Sequence, residues 1–427
     1  MRIAFHTLGC KVNQYETEAM REAFTAAGHT PCDGGDFDAA VINSCTVTAE
    51  SDRKTRQLLR RVRRDNPNAI IVLTGCMAQA FKEESAALID ADIIAGNTDI
   101  KKIVSLVEKF VIDGERIVEV APHEKKERFN TPSIKTFAER TRAYMKIQDG
   151  CDRYCSYCII PRARGHIRSK SIEEIRTEAE HLSKSGFIEV VLVGINLSSY
   201  GRDEGLDLCD AVDAVCSVDG IKRVRLGSLE PDHISDQMLS RFKAQEKFCP
   251  QFHLSLQSGC DRTLKRMNRH YDTAFYTDLV NRIRLMFPDA AITTDIMVGF
   301  AGETEEDFEI SAEYLKSIGF AKSHVFAYSR RKGTVAYGLP DQISNAQKSD
   351  RSRRMIKAAD EAEEKFLESQ IGKVFPVLFE TVQDGQLQGY TPNYTLVKVN
   401  TETPVTGKIL NVKIISAQKD YCVGEII

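Results

Sequence analysis

AYMKIQDGCDRYCSYC, residues 143–158, runs a short apolar strand straight into three closely spaced cysteines. AYMKI at 143–147 is the first of six candidate strands, followed by EVVLV (189–193), RVRLG (223–227), FHLSL (252–256), AITTDIMV (291–298) and HVFAY (324–328). Helix-patterned stretches lie between them, among them SIEEIRTEAEHLSKS at 171–185 and TEEDFEISAEYLKSI at 304–318. Strands alternating with helices pair in parallel, and in a barrel built this way reactive groups gather at the carboxyl ends of the strands. Six units are too few to close an eightfold barrel, so the expectation is an open, partial (β/α)6 barrel with the cysteines at its reactive face.

Upstream, IAFHT (3–7), AAVIN (39–43) and AIIVLT (69–74) alternate with helical spacing near Tyr15–Ala27, Glu50–Arg64 and Gln79–Leu88. That pattern predicts a separate α/β domain on a parallel sheet, covering residues 1–112. Residues 113–136 turn charged and proline-bearing, with PHEKKERFNTP at 122–132, and read as a linker to a core at 137–368. After a long charged helix near Ala346–Gln370, the runs VFPVLFETV (374–382), QLQGYTPNYTLVKV (386–399), GKILNVKIISA (407–417) and YCVGEII (421–427) predict a small all-β barrel at 369–427, with a turn at Asp384-Gly385. The fold class is α/β with this β-barrel appended.

The 427 residues are 42% hydrophobic and 28% charged, which excludes wholesale disorder. No apolar run is long enough to span a membrane, and the first residues lack the pattern of a secretory signal, so a cytoplasmic protein without a membrane partner is expected. Lys+Arg 58 against Asp+Glu 61 gives a net charge of −3, which argues neither for nor against a nucleic-acid partner, so charge must be read in local runs. Twelve cysteines in such a chain are reduced thiols or metal ligands, not a disulfide framework.

Cys151, Cys155 and Cys158 can hold one soft metal centre. Three thiolates on a four-iron cluster leave one iron open to a substrate or cofactor. A zinc site is the alternative, with His166 as its nearest fourth ligand. Cys10, Cys45 and Cys76 each follow the end of one N-terminal strand, and in a parallel sheet those ends share an edge where ligands collect. They either converge there or are three unrelated buried thiols. The remaining cysteines read as core or incidental. Gly194, Asn196, Ser228, Glu230 and Gln257 follow the second, third and fourth barrel strands and are candidates for cofactor contact, or for ordinary strand-end turns. Two basic runs sit beside the two cysteine sets: RKTRQLLRRVRR at 53–64 and PRARGHIRSK at 161–170. Arg53, Lys54, Arg56, Arg60, Arg164, Arg168 and Lys170 are the candidate phosphate contacts, against the plainer reading of a solvated helix face.

TLGCKVNQYETE (7–18), NSCTVTAESDRKTRQLLRR (43–61), TGCMAQ (74–79) and KIQDGCDRYCSYCIIPRARGHIRSK (146–170) resemble the methylthiotransferases of the radical S-adenosylmethionine superfamily. The likeness spans the chain and implies a methylthiotransferase N-terminal domain, a radical-SAM core and a C-terminal TRAM domain. KVNQYETE resembles the subgroup acting on threonylcarbamoyladenosine, whereas the isopentenyladenosine subgroup carries a QMN-type string and the ribosomal-protein subgroup PKN. The resemblance implies two 4Fe–4S clusters. One, on Cys151, Cys155 and Cys158, would bind S-adenosylmethionine at its open iron and generate a 5′-deoxyadenosyl radical. An auxiliary one, on Cys10, Cys45 and Cys76, would carry the methylthio group to adenine C2 at tRNA position 37. Tyr157 resembles the aromatic beside the cofactor adenine. Tyr390, Tyr394, Lys398 and Lys408 would give the TRAM module a nucleic-acid surface. The implied partners are the tRNA anticodon stem-loop and an electron donor such as a flavodoxin or ferredoxin. Val335 stands where relatives often carry proline. A non-catalytic iron–sulfur RNA-binding protein is the rival from another class, and two triads without a fourth cysteine argue against its closed clusters.

Overall fold

The computed structural model describes residues 1–135, 141–400 and 405–427. Strands β1 (Arg2–Thr7), β2 (Thr30–Cys32), β3 (Ala39–Ser44), β4 (Ile70–Gly75), β5 (Ile93–Ala95) and β6 (Ile117–Glu119) pair in parallel in the order β2-β1-β3-β4-β5-β6. The three expected strands are the central ones, and β3 is buried at all six positions because helices cover both faces. The three added strands have three residues each, too few to show a period. Helix α1 (Lys11–Ala26) follows β1 and buries Tyr15, Ala19, Met20 and Phe24. Helix α2 (Ala49–Asp65) follows β3, with Thr48 capping the Ser51 amide. The helix expected at 79–88 instead starts at Cys76 as α3 (Cys76–Ala80) and breaks at Phe81 before a second turn, Lys82–Ala86. Composition suggested a linker at 113–136, yet that segment supplies β6 and buries Ile134. The boundary expected between 136 and 137 lies outside the described residues.

In the core, β7 (Arg142–Asp149), β9 (Glu189–Gly194), β12 (Gln251–Leu254), β13 (Ala291–Val298) and β14 (Lys322–Ala327) realise five of the six expected strands, with β8 (Arg168–Ser169) adding an antiparallel edge to β7. RVRLG forms the sixth, β10 (Arg223–Leu226), and a further short strand, β11 (Ser228–Leu229), follows it. The break at Gly227 divides the wall into sheets β10-β9-β7-β8 and β11-β12-β13-β14. Val224 bridges them, accepting from the Cys249 amide and donating to the Lys247 carbonyl. The six units run in chain order around an open barrel, as expected.

Strands β15 (Val374–Gln383), β16 (Gln386–Tyr390), β17 (Leu396–Asn400), β18 (Ile409–Ala417) and β19 (Cys422–Ile426) form a closed barrel around Val377, Phe379, Leu387, Val397 and Val412. It sits against the amino ends of the core strands. Arg223 donates to the Tyr390 and Pro376 carbonyls, and Arg225 to those of Pro392 and Thr391. Tyr390 and Tyr394 stack on each other 4.6 Å apart, with Arg142 and Arg225 over their faces. Those two tyrosines therefore dock the barrel on the core and do not present a free RNA-facing surface.

Candidate active site

The loop triad is shaped by the chain on either side of it. Gly150 has φ +74°, and a side chain there would collide with the His166 carbonyl, so only glycine turns the strand end into the cysteine loop. The Cys151 amide donates to the Gly165 carbonyl, and Ser156 is tied to Met267 and Arg266 through its amide and hydroxyl. Nitrogen donors face the sulfurs: Arg269 lies 3.3 Å from Cys155 Sγ and Asn196 Nδ2 lies 3.6 Å from Cys151 Sγ. Burial pushes the Cys151 thiol up to about 11 and the Cys158 thiol up to about 12, so a cation must supply the charge that makes them thiolates. His166 Nδ1 is 2.6 Å from Asp152. Among the described residues, no three His, Cys, Asp or Glu side chains close on one metal ion, the two cysteine triads included.

The second triad is assembled by the sheet. Cys10 caps α1, Cys45 follows β3 and Cys76 opens α3. A Cβ on Gly9 would stand 3.0 Å from Cys45 Cβ, so the first two loops meet. Gly75, at φ +89°, clears the Asn43 side chain and Ser44 backbone, which a Cβ would strike at about 2.5 Å. Asn13 links the loops by donating to Asn43 Oδ1 and the Ser44 carbonyl, both at 3.1 Å, while Cys10 donates to its Oδ1. Burial pushes the Cys76 thiol up to about 12, and Cys45 and Cys10 add to the rise. The three sulfurs thus share one neighbourhood, as the strand-end argument anticipated.

Arg164 connects the two triads. Fully buried, it donates to Cys76 Sγ at 3.2 Å, grips Glu16 through both carboxylate oxygens and lies 3.4 Å from Asp149, two residues before Cys151. Lys146 completes the cluster at 2.7 Å from Glu16 and 2.6 Å from Asp149. Burial disfavours charge on Asp149, but Lys146, Arg164 and Arg168 outweigh it and hold the carboxyl well below the ordinary range. From the core, Arg331 likewise braces the loop after Cys45, 2.8 Å from Asp52 and 2.6 Å from Thr46.

These contacts correct the second basic run. Arg164, Arg168 and Lys170 are buried, and carboxylates hold them: Arg168 by Glu127 and Asp149, Lys170 by Glu178. They knit the N-terminal domain to the core and are closed to phosphate. The first run behaves differently. Arg53, Lys54 and Arg60 are exposed on α2 and Arg56 is half-buried, with Arg53 paired to Glu50 on its own helix.

The strand-end candidates separate by place. Asn196 keeps a buried Oδ1 without a partner among the described residues, an acceptor placed for a ligand amine next to Cys151. Glu230 pairs with Arg269 behind Cys155. Tyr157 packs edge-on against Phe300, 6.3 Å between ring centres. Gln257, at φ +69°, spends its backbone pairing with Asp295 and Met297 and serves the wall. Gly194 and Ser228 open onto a cavity of about 620 Å³ that also reaches Cys10, Lys11, His253 and Tyr394. Sequence spacing carried no signal for Arg269 or Arg331, which reach the site only through the fold, whereas Lys11 directly follows Cys10. Three thiols in the core loop, with an arginine and an amide donor on their sulfurs and an acceptor beside Cys151 that has no partner among the described residues, fit an open-iron cluster and an amine-bearing cofactor.

Residues 2–96 match the model of uncharacterized protein family UPF0004, 145–315 that of the radical SAM superfamily and 368–427 that of the TRAM domain. The chain is 37% identical to the threonylcarbamoyladenosine tRNA methylthiotransferase MtaB of Bacillus subtilis, covering 100% of this chain and 96% of that protein. It is 35% identical to the MtaB of Aquifex aeolicus, over 97% and 100%. It is 33% identical to a tRNA-2-methylthio-N(6)-dimethylallyladenosine synthase of Caldicellulosiruptor saccharolyticus, over 99% and 91%. The fold is similar to that of the radical S-adenosylmethionine methyltransferase TsrM from Kitasatospora setae, with TM-score 0.57 at 11% identity over 78% of this chain and 73% of that one. With relatives at this identity matched over nearly their whole length and a radical SAM module in the chain, the chain belongs to the radical S-adenosylmethionine methylthiotransferase family.

Proposed function

We propose that the protein replaces the hydrogen at C2 of N6-threonylcarbamoyladenosine, at position 37 in the anticodon stem-loop of tRNA, with a methylthio group. The observation that carries this reading is the buried bridge from Cys76 through Arg164 to Asp149, beside Cys151. It sets a second thiol triad next to the first, which radical cleavage of S-adenosylmethionine alone does not need. When bound, a 4Fe–4S cluster on each triad and S-adenosylmethionine supply the one-electron chemistry, the methyl group and the site for sulfur. The chain's own part is to orient and to shield. Asn196 offers its free Oδ1 to the cofactor amine, Arg269 and Arg164 donate to ligand sulfurs, and the cavity wall keeps water from the reacting carbon. Exposed Arg53, Lys54 and Arg60 on α2, near Cys45, are placed to take tRNA phosphates. A cytoplasmic flavodoxin or ferredoxin would supply the electron. No helix among the described residues is long and apolar enough to cross a membrane.

The test is mass spectrometry of tRNA nucleosides from a strain lacking the gene, with and without its return. Loss and recovery of the methylthiolated threonylcarbamoyladenosine is the expected result. Loss of the methylthiolated isopentenyladenosine instead would assign the chain to the other subgroup.

A further inference from the structure

We infer that Lys11 is a specificity residue, its ammonium receiving the carboxylate that the threonylcarbamoyl group adds to the substrate adenine. The inference rests on the substrate reading above and names the group that reads it. Lys11 immediately follows Cys10, and both line the cavity of about 620 Å³. An adenine whose C2 approaches the Cys10 side of the auxiliary site therefore brings its N6 substituent into the space that Lys11 overlooks.

The charges in that space leave Lys11 free for a ligand. Its neighbours are Arg142 and Arg225, with the Glu189 carboxylate also within electrostatic reach. Both arginines are committed elsewhere. Arg142 is paired with Glu380 at 2.6 Å, and Arg225 with Glu189 at 2.9 Å and with the Pro392 carbonyl at 2.8 Å. Glu189 lies 2.9 Å from Arg225 and 3.6 Å from Arg223 and forms no ion pair with Lys11, although its Oε2 has no hydrogen-bond partner among the described residues. Of the other carboxylates of the wall, Glu363 holds Lys322 at 2.9 Å with Asp420 beside it, and Asp295 lies 3.4 Å from the His253 ring. The contact the structure gives the Lys11 ammonium is the ring of Tyr144, 5.7 Å from its centroid. The Lys11 side chain is exposed at the cavity wall and has no ion pair among the described residues, so an incoming carboxylate would gain a charge-assisted contact there. An apolar isopentenyl group would leave it unpaired, and that is discrimination of the kind a polar site imposes on an apolar analogue.

Two reactants carry such a carboxylate, the threonylcarbamoyl group and S-adenosylmethionine, and the experiment separates them. Reconstituted holoenzyme is assayed anaerobically on tRNA bearing threonylcarbamoyladenosine and on the same tRNA with that carboxylate converted to its methylamide. Wild-type enzyme should prefer the free carboxylate by roughly 10- to 100-fold in kcat/KM, carried mainly in tRNA KM. Lys11→Gln should lose that preference by falling only on the native tRNA, and Lys11→Arg should keep most of it. Iron content and tRNA binding in the absence of turnover are read alongside. Equal wild-type rates on the two tRNAs would overturn the inference without any variant. A Lys11→Gln defect shared by both tRNAs, with a raised KM for S-adenosylmethionine, would assign Lys11 to the cofactor and overturn it too. No wild-type activity on either tRNA would remove the substrate reading together with the inference.

Discussion

Cys151, Cys155 and Cys158 belong to one loop, whereas Cys10, Cys45 and Cys76 arrive from the ends of β1, β3 and β4. The loop triad takes its shape from nearby chain: a glycine before Cys151, amide bonds to the Gly165 segment, and a hydroxyl tie at Ser156. The sheet-edge triad takes its shape from pairing register, which aligns Thr7 with Asn43 and Ser44 with Gly75. It also depends on the neighbouring domain, because Arg164 and Arg331 come from the core. Both triads have an arginine on a cysteine sulfur, Arg269 on Cys155 and Arg164 on Cys76. The difference lies in what each arginine holds besides: Arg269 pairs with a half-buried Glu230, while Arg164 is the centre of a buried cluster that joins two domains. A local site tolerates damage elsewhere; a distributed one inherits the stability of everything that aligns it.

The sharpest break should come from removing ligands. Cys155→Ala should abolish formation of 5′-deoxyadenosine, while Cys45→Ala should leave cleavage measurable and eliminate methylthiolated tRNA. Anaerobic assays of both products on the two variants check this, and equal loss of cleavage in both would end the division of roles.

Next in size is the pair of arginines. Arg164→Met strips Glu16 and Asp149 of a buried partner, and breaking such a cluster is worth about 3–5 kcal/mol. Thermal unfolding should shift down by several degrees, and iron should be lost first from the sheet-edge triad. Arg269→Met should unfold closer to wild type and lose iron from the loop triad instead. If the two variants unfold alike, the contrast between local and distributed support is wrong.

A smaller effect follows from pH. Burial, with Arg202 nearby, lowers His233 to about 4 from its ordinary 6.5, against the pull of Asp232. The unfolded chain then binds a proton that the folded chain refuses. The contribution is whole above about 6.5 and is lost as pH falls from there towards 4. His233 lies 3.0 Å from Arg153, inside the loop triad's own segment. His233→Asn should therefore flatten the decline of melting temperature across that window, measured on the chain without added iron. An unchanged decline would place the acid sensitivity elsewhere.

The smallest expected change is at the surface of α2. Arg60→Ala should weaken tRNA binding a few-fold, equally for all tRNAs, and reduce the salt slope by about one. Arg168→Ala should instead lower stability with an unchanged slope, since Arg168 is buried between Glu127 and Asp149.

The strand–helix order, the clustered loop cysteines and the terminal β-barrel were legible because each leaves a local trace, whereas the strand ends marked Cys10, Cys45 and Cys76 without deciding whether they meet. The short strands β2, β5 and β6 were not, since three residues show no period. Charge misled at two places. Residues 113–136 looked like a linker, but backbone pairing at Ile117–Glu119 needs no apolar run. PRARGHIRSK looked like a phosphate rim, but its carboxylate partners, Glu16, Asp149 and Glu178, come from other elements. Tyr390 and Tyr394 looked available for RNA and instead face Arg142 and Arg225.

By itself, then, the sequence determined the order of modules and the identity of the thiols, because spacing along a chain is preserved when it folds. Whether a cation faces solvent, a carboxylate or a sulfur was decided only by the tertiary structure. A charged side chain is read by what surrounds it, and Glu16, Asp149 and Cys76 reach Arg164 from positions 148, 15 and 88 residues away along the chain. Pairing at that range depends on sheet register and domain docking, which no local pattern encodes.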